Sequence, residues 1–516
     1  MLINIHCAKC IGIDAVPVVV EVDIATGIGI HLVGLADTAI KESLLRTITA
    51  LQSMGFRIPG RKIVINLAPA DMHKKGSGYD IPIALGIIAA SGQRPLLELE
   101  QFLIMGELGL DGTVREIPGA IPIVELAVRK GLKGCILPLE SALEAVDFSG
   151  IDVYGVTTLE EVLRIVEGKC CEDLLVQNRL HKKKECNSLG IPDLNMMDFS
   201  EIIGQEAAKR GLEIAAAGGH NVILIGSPGS GKSSLAKAMA GILPPMSLEE
   251  SLQTSKIYSV AGKGNSSGGL IRTRPFRSPH YSVSVAALLG GGSDSIMPGE
   301  ISLAHNGVLF IDEFCEAPKR ITEVLRAPME DRKVTISRLK SKVEFPADFM
   351  LVAATNPCPC GYYGEGDRCT CTPAKRIAYI SKLSGPIMDR IDLQIFLRAI
   401  DPRKLVERRA AESSSEVAAR VLTARNIQKV RFAEDGIFCN AAMNNRMIER
   451  YCHLSSECRR LLERIIGNMG LSARACSRII KMARTIADLT GVEDILPEHI
   501  SEASGYRFLD KQNIFE

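Results

Sequence analysis

The spacing of apolar residues changes character twice along the chain. Over residues 1–170, short β-branched runs alternate with amphipathic stretches. Residues 18–23, 27–33 and 62–67 read as strands, and 37–54 as a helix carrying Leu44, Leu45, Ile48 and Leu51 on one face. Residues 81–90 read as a buried helix and 124–130 as a further helix. Such alternation predicts an α/β sandwich. The charged run His181-Lys-Lys-Lys-Glu185, followed by Gly190 and Pro192, marks residues 171–197 as a solvated linker.

From 198 to 398 the strand candidates become apolar throughout, at 222–225, 307–311 and 350–354. Strands without a polar face belong in a parallel sheet covered on both sides. Helices are expected beside them at 206–217 and 234–240. From 399 to 516 the period is helical, with Leu405, Val417, Val421 and Val430 as core candidates. Leu461, Leu462, Ile465 and Ile466 form the stripe of another helix, which Ser455 can cap and Gly470 stops; Pro497 opens a later one.

The length of 516 residues fits this division into three domains and a linker. With 46% hydrophobic residues, 4% aromatic and no Trp, the cores must be aliphatic. A net charge of +1 says nothing about nucleic acid, so any basic surface has to be local. No apolar run approaches a membrane span and the N-terminus lacks a signal pattern, so a soluble, cytoplasmic protein without a membrane partner is expected. The 15 cysteines are then thiols or metal ligands. Cys7-Ala-Lys-Cys10 lacks a second pair nearby and reads as buried thiols.

The strand at 222–225 runs into Gly226-Ser-Pro-Gly-Ser-Gly-Lys232-Ser233 and then a helix. This is the phosphate-loop pattern in its required context. Glycines let backbone N–H groups turn inward around phosphate oxygens, and the helix N-terminus adds partial positive charge. ATP contacts are therefore expected from Gly226, Ser227, Pro228, Gly229, Ser230, Gly231, Lys232, Ser233 and Ser234. Lys232 would reach the β/γ-phosphates and Ser233 would ligate Mg²⁺. The apolar strand ending in Asp312-Glu313 supplies a carboxylate pair: Asp312 to hold Mg²⁺ through water, Glu313 to polarise the attacking water. Cys358-Pro-Cys360 and Cys369-Thr-Cys371 suit tetrahedral sulfur coordination, with structural zinc favoured over free thiols or an iron–sulfur centre.

Several segments resemble a known family. Gly34-Leu-Ala-Asp37, Asn66-Leu-Ala-Pro-Ala-Asp71 and Lys74-Lys-Gly-Ser-Gly-Tyr-Asp80 resemble the N-terminal domain of Mg-chelatase-like ATPases, which is similar to the Lon-protease fold. Proteolysis would need a Ser–Lys dyad. Gly78 and Ile121 stand at those positions, and only Ser77 with Lys74 or Lys75 remains as a substitute. A structural or partner-binding role is expected instead. Asn356 resembles sensor 1, Arg390 in Ser384-Gly-Pro-Ile-Met-Asp389-Arg390 an arginine finger, and Arg474 sensor 2, with Arg478 a second candidate. The Ile202-Ile-Gly-Gln205 stretch resembles one that packs on adenine, though plain packing is an equal reading.

Together these motifs resemble an AAA+ ATPase with two insertions. Residues 256–300, containing Arg272-Thr-Arg-Pro-Phe-Arg-Ser-Pro-His280, are similar to a helix-2 insert. Residues 333–343 read as a hairpin before sensor 1, and Arg338, Lys340 and Lys342 would follow a DNA backbone or simply face solvent. The chain is identified as a member of the YifB/ComM-type Mg-chelatase-like AAA+ ATPases. The resemblance implies an N-terminal Lon-like α/β domain at 1–170, a P-loop AAA+ core at 198–398 and a helical lid at 399–516 that covers the nucleotide. It also implies a homohexamer with the arginine finger acting in trans. The work implied is Mg²⁺-dependent ATP hydrolysis driving branch migration on single-stranded or branched DNA, in recombination or natural transformation. A chelatase-type motor remodelling a protein partner is the alternative, and a nucleotide-gated scaffold a further one.

Overall fold

The computed structural model describes residues 2–34, 38–72, 74, 76–180, 197–265, 267–292, 296–338, 341–399 and 412–510. Asp37, Lys75, the run 181–185 with Gly190 and Pro192, Lys340 and Leu405 lie outside the described residues. No described helix is long and apolar enough to cross a membrane.

The first region is a seven-stranded sheet with the order Gly29–Val33, Lys62–Ala68, Asp14–Ala25, Ile3–Ile11, Phe102–Ile104, Gly134–Pro138, Asp152–Val156. Strand Asp14–Ala25 runs antiparallel to both of its neighbours, and the outer pairs are parallel. Its alternation buries Val18, Val20 and Val22. Helix Asp80–Ala90 packs on these strands so closely that a β-carbon on Gly86 would lie 2.4 Å from Val22 Cγ2. Cys7 is buried in strand Ile3–Ile11, where desolvation raises its thiol pKa as expected of an inert thiol.

Helix Thr38–Ser53 forms where the spacing predicts, but its buried face is rotated. Leu45 is 68% exposed, while Ser43 and Thr47 are fully buried. The reason is Asp80, a buried carboxylate that accepts from the Ser43 hydroxyl, Arg46 Nε at 2.8 Å and the Leu108 N–H at 3.0 Å. Satisfying that charge decides the helix rotation ahead of leucine burial.

The second sheet is five-stranded, in the order Phe276–Arg277, Val308–Ile311, Met350–Thr355, Val222–Gly226, Leu393–Leu397, with every pair parallel. Strand Val222–Gly226 is interior to the sheet and buried throughout. The outermost strand comes from inside the segment expected to be an insert. There, Arg274 pairs with Glu250 at 2.9 Å and Arg277 with Glu300 at 2.7 Å, so these arginines anchor the sheet edge. The first region meets this one through helix Ala120–Lys130: Gly119 N–H donates to Ser259 O at 2.9 Å and Lys256 pairs with Glu125 at 2.6 Å.

The helices Ser414–Arg431, Asn445–Tyr451, Ser456–Met469, Ala473–Thr490 and Pro497–Gly505 complete the described chain. Ser455 caps the third of them and Gly470 ends it in the left-handed region, as the sequence predicts. Val417 and Val421 are buried against helix Glu206–Gly218, but Val430 is 80% exposed. Gln428 takes the buried position instead, donating to Ala217 O at 3.0 Å and accepting from Asn440 N–H at 3.0 Å.

Asp392 joins the helices to the sheet. It is buried, paired with Arg478, 3.6 Å from His220 Nδ1 and bonded to Asn221 N–H at 2.9 Å. Burial alone would raise its pKa; the Arg478 guanidinium and His220 reverse this and hold it well below the usual carboxylate range. A depressed folded-state pKa stabilises above the unfolded value and is lost as pH falls. Asp392→Asn is therefore expected to cost about 3 kcal/mol at neutral pH by stranding Arg478. The difference in denaturation midpoint from the parent should shrink below about pH 4. Equal stability at pH 7 would contradict this role.

Candidate nucleotide site

Strand Val222–Gly226 ends at the loop, and helix Lys232–Gly241 begins immediately after it. Gly229 and Gly231 take φ of +79° and +90°, a conformation that disfavours most side chains. Lys232 Nζ donates to Gly226 O at 2.7 Å, Ser227 O at 2.9 Å and Asn356 Oδ1 at 3.2 Å. Burial lowers the Lys232 pKa, while Asp312 and Glu313 oppose the shift. Ser233 Oγ donates to Asp312 Oδ2 at 2.8 Å, and Asp312 Oδ1 accepts the N–H of Glu313 at 2.9 Å. Glu313 has φ +50°, a strained conformation that turns it off the strand end into the open. Three stretches far apart in sequence thus converge on one crevice at the carboxyl ends of parallel strands. The Ser230 hydroxyl is buried in the loop, close against Gly226.

Beside the loop lies a pocket of about 540 Å³ whose walls include Gln205, Ile225, Tyr363, Phe396 and Phe508. Gln205 Nε2 donates to Arg398 O at 2.8 Å and Ser230 O at 3.3 Å, tying this pocket to the loop. Within the 202–205 stretch Gln205 faces the pocket, whereas Ile202 packs in the core. Motif reading misses Tyr363, Phe396 and Phe508, although three rings converging in so aromatic-poor a chain are a usable signal.

Arg390 and Arg474 are not brought to this crevice. Arg390 pairs with Glu330, donates to Pro386 O at 2.8 Å, and its own carbonyl accepts from Asn221 Nδ2 at 2.9 Å. Arg474 is 67% exposed and lies 3.6 Å from Asp389. The Arg390 backbone thus sits by the start of strand Val222–Gly226, whose loop lies at the other end, about 16 Å along it at the strand rise of about 3.3 Å per residue. The C-terminal helices share a core with helix Glu206–Gly218 and with helix Lys232–Gly241, which follows the loop, and Phe508 beyond them lines the pocket beside it.

Strands Lys333–Arg338 and Ser341–Pro346 form the expected hairpin, with Ser337 opposite Lys342. Val334, Ile336, Val343 and Phe345 are buried on one face, and Arg338 and Lys342 are exposed. Lys342 lies 3.9 Å from Glu344, which also pairs with Lys333 at 3.0 Å. A short second hairpin, Gly290–Gly291 with Met297–Pro298, lies alongside; a β-carbon on Gly291 would stand 3.4 Å from Arg338 Nη2.

The four thiols of Cys358, Cys360, Cys369 and Cys371 converge, all within 4.8 Å of one another. Cys358 Sγ lies 3.3 Å from Cys360 Sγ and 3.8 Å from Cys369 Sγ, and the Cys360–Cys369 separation is 3.7 Å. Tetrahedral zinc at Zn–S of about 2.3 Å spaces its sulfurs by about 3.8 Å. The donor set fits. Burial raises the Cys358 thiol, while the backbone N–H of Tyr362 lowers that of Cys360.

In the first region, Ser77 Oγ donates to Glu107 and the buried Lys74 ammonium to Pro69 O. Gly78 lies against Met105, and Ile121 is buried with its N–H on Ser259 Oγ at 3.3 Å.

Three family models match in tandem: subunit ChlI of Mg-chelatase over residues 20–141, magnesium chelatase, subunit ChlI, over 198–405, and magnesium chelatase, subunit ChlI C-terminal, over 411–507. The uncharacterized protein YifB of Salmonella typhimurium is 40% identical over 511 residues, covering 98% of this chain and 97% of its own. Competence protein ComM of Haemophilus influenzae is 40% identical over 505 residues, with the same coverage. DNA replication licensing factor Mcm6 of Drosophila melanogaster is 25% identical over 351 residues, 61% of this chain and 37% of its own. On these grounds the chain belongs to the YifB/ComM-type family of Mg-chelatase-like AAA+ proteins.

Proposed function

We propose that the protein hydrolyses ATP with Mg²⁺ and uses the energy to remodel DNA, as a homohexameric branch-migration helicase in recombination or transformation. The convergence of Lys232, Ser233, Asp312, Glu313 and Asn356 carries this reading. Lys232 binds the β/γ-phosphates, Asn356 orients a water, and Glu313 takes its proton as the water oxygen bonds to the γ-phosphorus and the bridging oxygen leaves. Ser233 and Asp312 would hold Mg²⁺, which when bound neutralises phosphate charge. Arg390 serves the γ-phosphate of an adjacent subunit as an arginine finger, and Arg474 acts as sensor 2. The four cysteines hold zinc as a structural ion. Residues 1–170 act as a Lon-like module without protease chemistry, 198–398 as the motor and 399–516 as a helical lid.

Arg338 and Lys342, with Lys340, are read as the DNA-tracking residues. The competence and replication names carried by two relatives support DNA over a protein substrate. The chelatase family models favour the alternative, a motor acting on a protein partner. DNA stimulation of ATP turnover separates them. Arg338→Ala is expected to weaken that stimulation severalfold and to make DNA binding less dependent on salt, since fewer phosphates are neutralised. An unchanged salt slope would remove Arg338 from the DNA path.

A further inference from the structure

The loop that carries the four cysteines is also a wall of the nucleotide crevice. It leaves strand Met350–Thr355 directly after Asn356, which contacts Lys232. Two residues later comes Cys358, whose sulfur lies 3.3 Å from that of Cys360 and 3.8 Å from that of Cys369. Gly361 then turns with φ +85°, its N–H donating to Cys358 O at 2.9 Å. Its backbone lies against the glycine-rich loop: a β-carbon there would come within 2.8 Å of Pro228 Cδ. Tyr363 lines the 540 Å³ pocket with Phe396 and Phe508. The guanidinium of Arg376, from helix Pro373–Ile380 just beyond Cys371, stacks 4.3 Å from the Tyr363 ring centre. Gly364 also approaches the pocket, and a β-carbon there would meet Phe396 Cζ at 3.2 Å.

The backbone of one cysteine is therefore hydrogen-bonded to Gly361, which touches Pro228, and Tyr363 of the pocket wall lies in the loop between the two cysteine pairs. A metal held by four sulfurs cross-links the two ends of this loop, and contacts around a metal site fix the orientation of what surrounds it. Without the ion, four thiols in a glycine-rich segment lose the cross-link that holds Gly361 and Tyr363 in place. We infer that metal occupancy of the four-cysteine site sets the affinity of the adjacent pocket for the base of the nucleotide, through Gly361 and Tyr363. This rests on the reading of the crevice as an ATP site. Tyr363 is a positioning residue: it presents an aromatic wall against which a purine can lie.

The test uses the full chain, its metal content by elemental analysis, and titration with a fluorescent ATP analogue. The parent should carry about one metal per chain and bind the analogue. Cys371→Ser should lose both metal and affinity. Tyr363→Ala should keep the metal yet bind about tenfold more weakly, because the base no longer lies against a ring on that side. Tyr363→Phe should match the parent in both. Stripping the metal from the parent with a thiol-directed mercurial, then reducing and desalting, should weaken binding by at least the Tyr363→Ala factor; re-adding zinc should restore it. The inference is overturned if stripped protein with an unchanged circular dichroism spectrum binds the analogue as tightly as the loaded form. It is equally overturned if Tyr363→Ala binds like the parent. If the metal-loaded parent binds no analogue, the nucleotide reading itself fails. A parent that takes up no metal overturns the inference through its metal reading alone and leaves the nucleotide reading standing.

Discussion

Lys232→Ala is expected to abolish nucleotide binding, with a loss of affinity on the order of a hundredfold. Lys232 supplies the only side-chain cation of the glycine-rich loop, and its ammonium is held by Gly226 O, Ser227 O and Asn356 Oδ1. Those are neutral acceptors, and a triphosphate oxygen is a better one. The ammonium is half buried, so desolvation strengthens its attraction for an anion. Alanine leaves the backbone N–H groups of the loop intact and removes only the charge that would face the β/γ-phosphates. The fold should tolerate the change, because the three hydrogen bonds that disappear are partly exposed and their acceptors can turn to water. Equilibrium titration with an ATP analogue, alongside a melting curve, gives the answer. Parent-like affinity would mean that the loop does not hold phosphate.

Glu313→Gln is expected to leave nucleotide affinity within about threefold and to cut turnover by about 10²–10⁴. The side chain keeps its size and lies off the strand end, so it carries no packing. Its N–H, which bonds Asp312 Oδ1, is unaffected, so the Ser233–Asp312 hydrogen bond survives. What disappears is the capacity to take a proton from water. Phosphate release at saturating ATP, compared with analogue binding, separates chemistry from affinity. A normal rate in this variant would move the general base elsewhere.

The residues of the crevice are legible in the sequence because their chemistry demands fixed residue types at fixed spacings. A glycine-rich loop running into Lys232-Ser233, an acidic strand end and two Cys-x-Cys pairs each announce themselves locally, and the hairpin from Lys333 to Pro346 follows from alternation. What escapes is tertiary. Phe276–Arg277 is too short and too close to Pro275 to show a strand period, yet it closes the sheet edge. Phe508 reaches the pocket from beside Arg507, which is buried and donates to Ile391 O, near the far end of the chain; no local pattern links it to Gln205. Leu45 and Val430 look like core because periodicity reports only apolar stripes, whereas Asp80 and Gln428 claim those faces with hydrogen bonds. Amphipathic spacing likewise says that the C-terminal helices bury a face, but not which end of the sheet receives it. That packing is what sets Arg474 beside Asp389.

The most direct measurement is ATP turnover by the purified full chain across single-stranded, duplex and branched DNA, with Lys232→Ala as background. Turnover should rise severalfold with branched or single-stranded DNA, fall with salt, and vanish in the variant. A DNA-driven motor would be contradicted by turnover that no DNA alters, or that never exceeds the Lys232→Ala background.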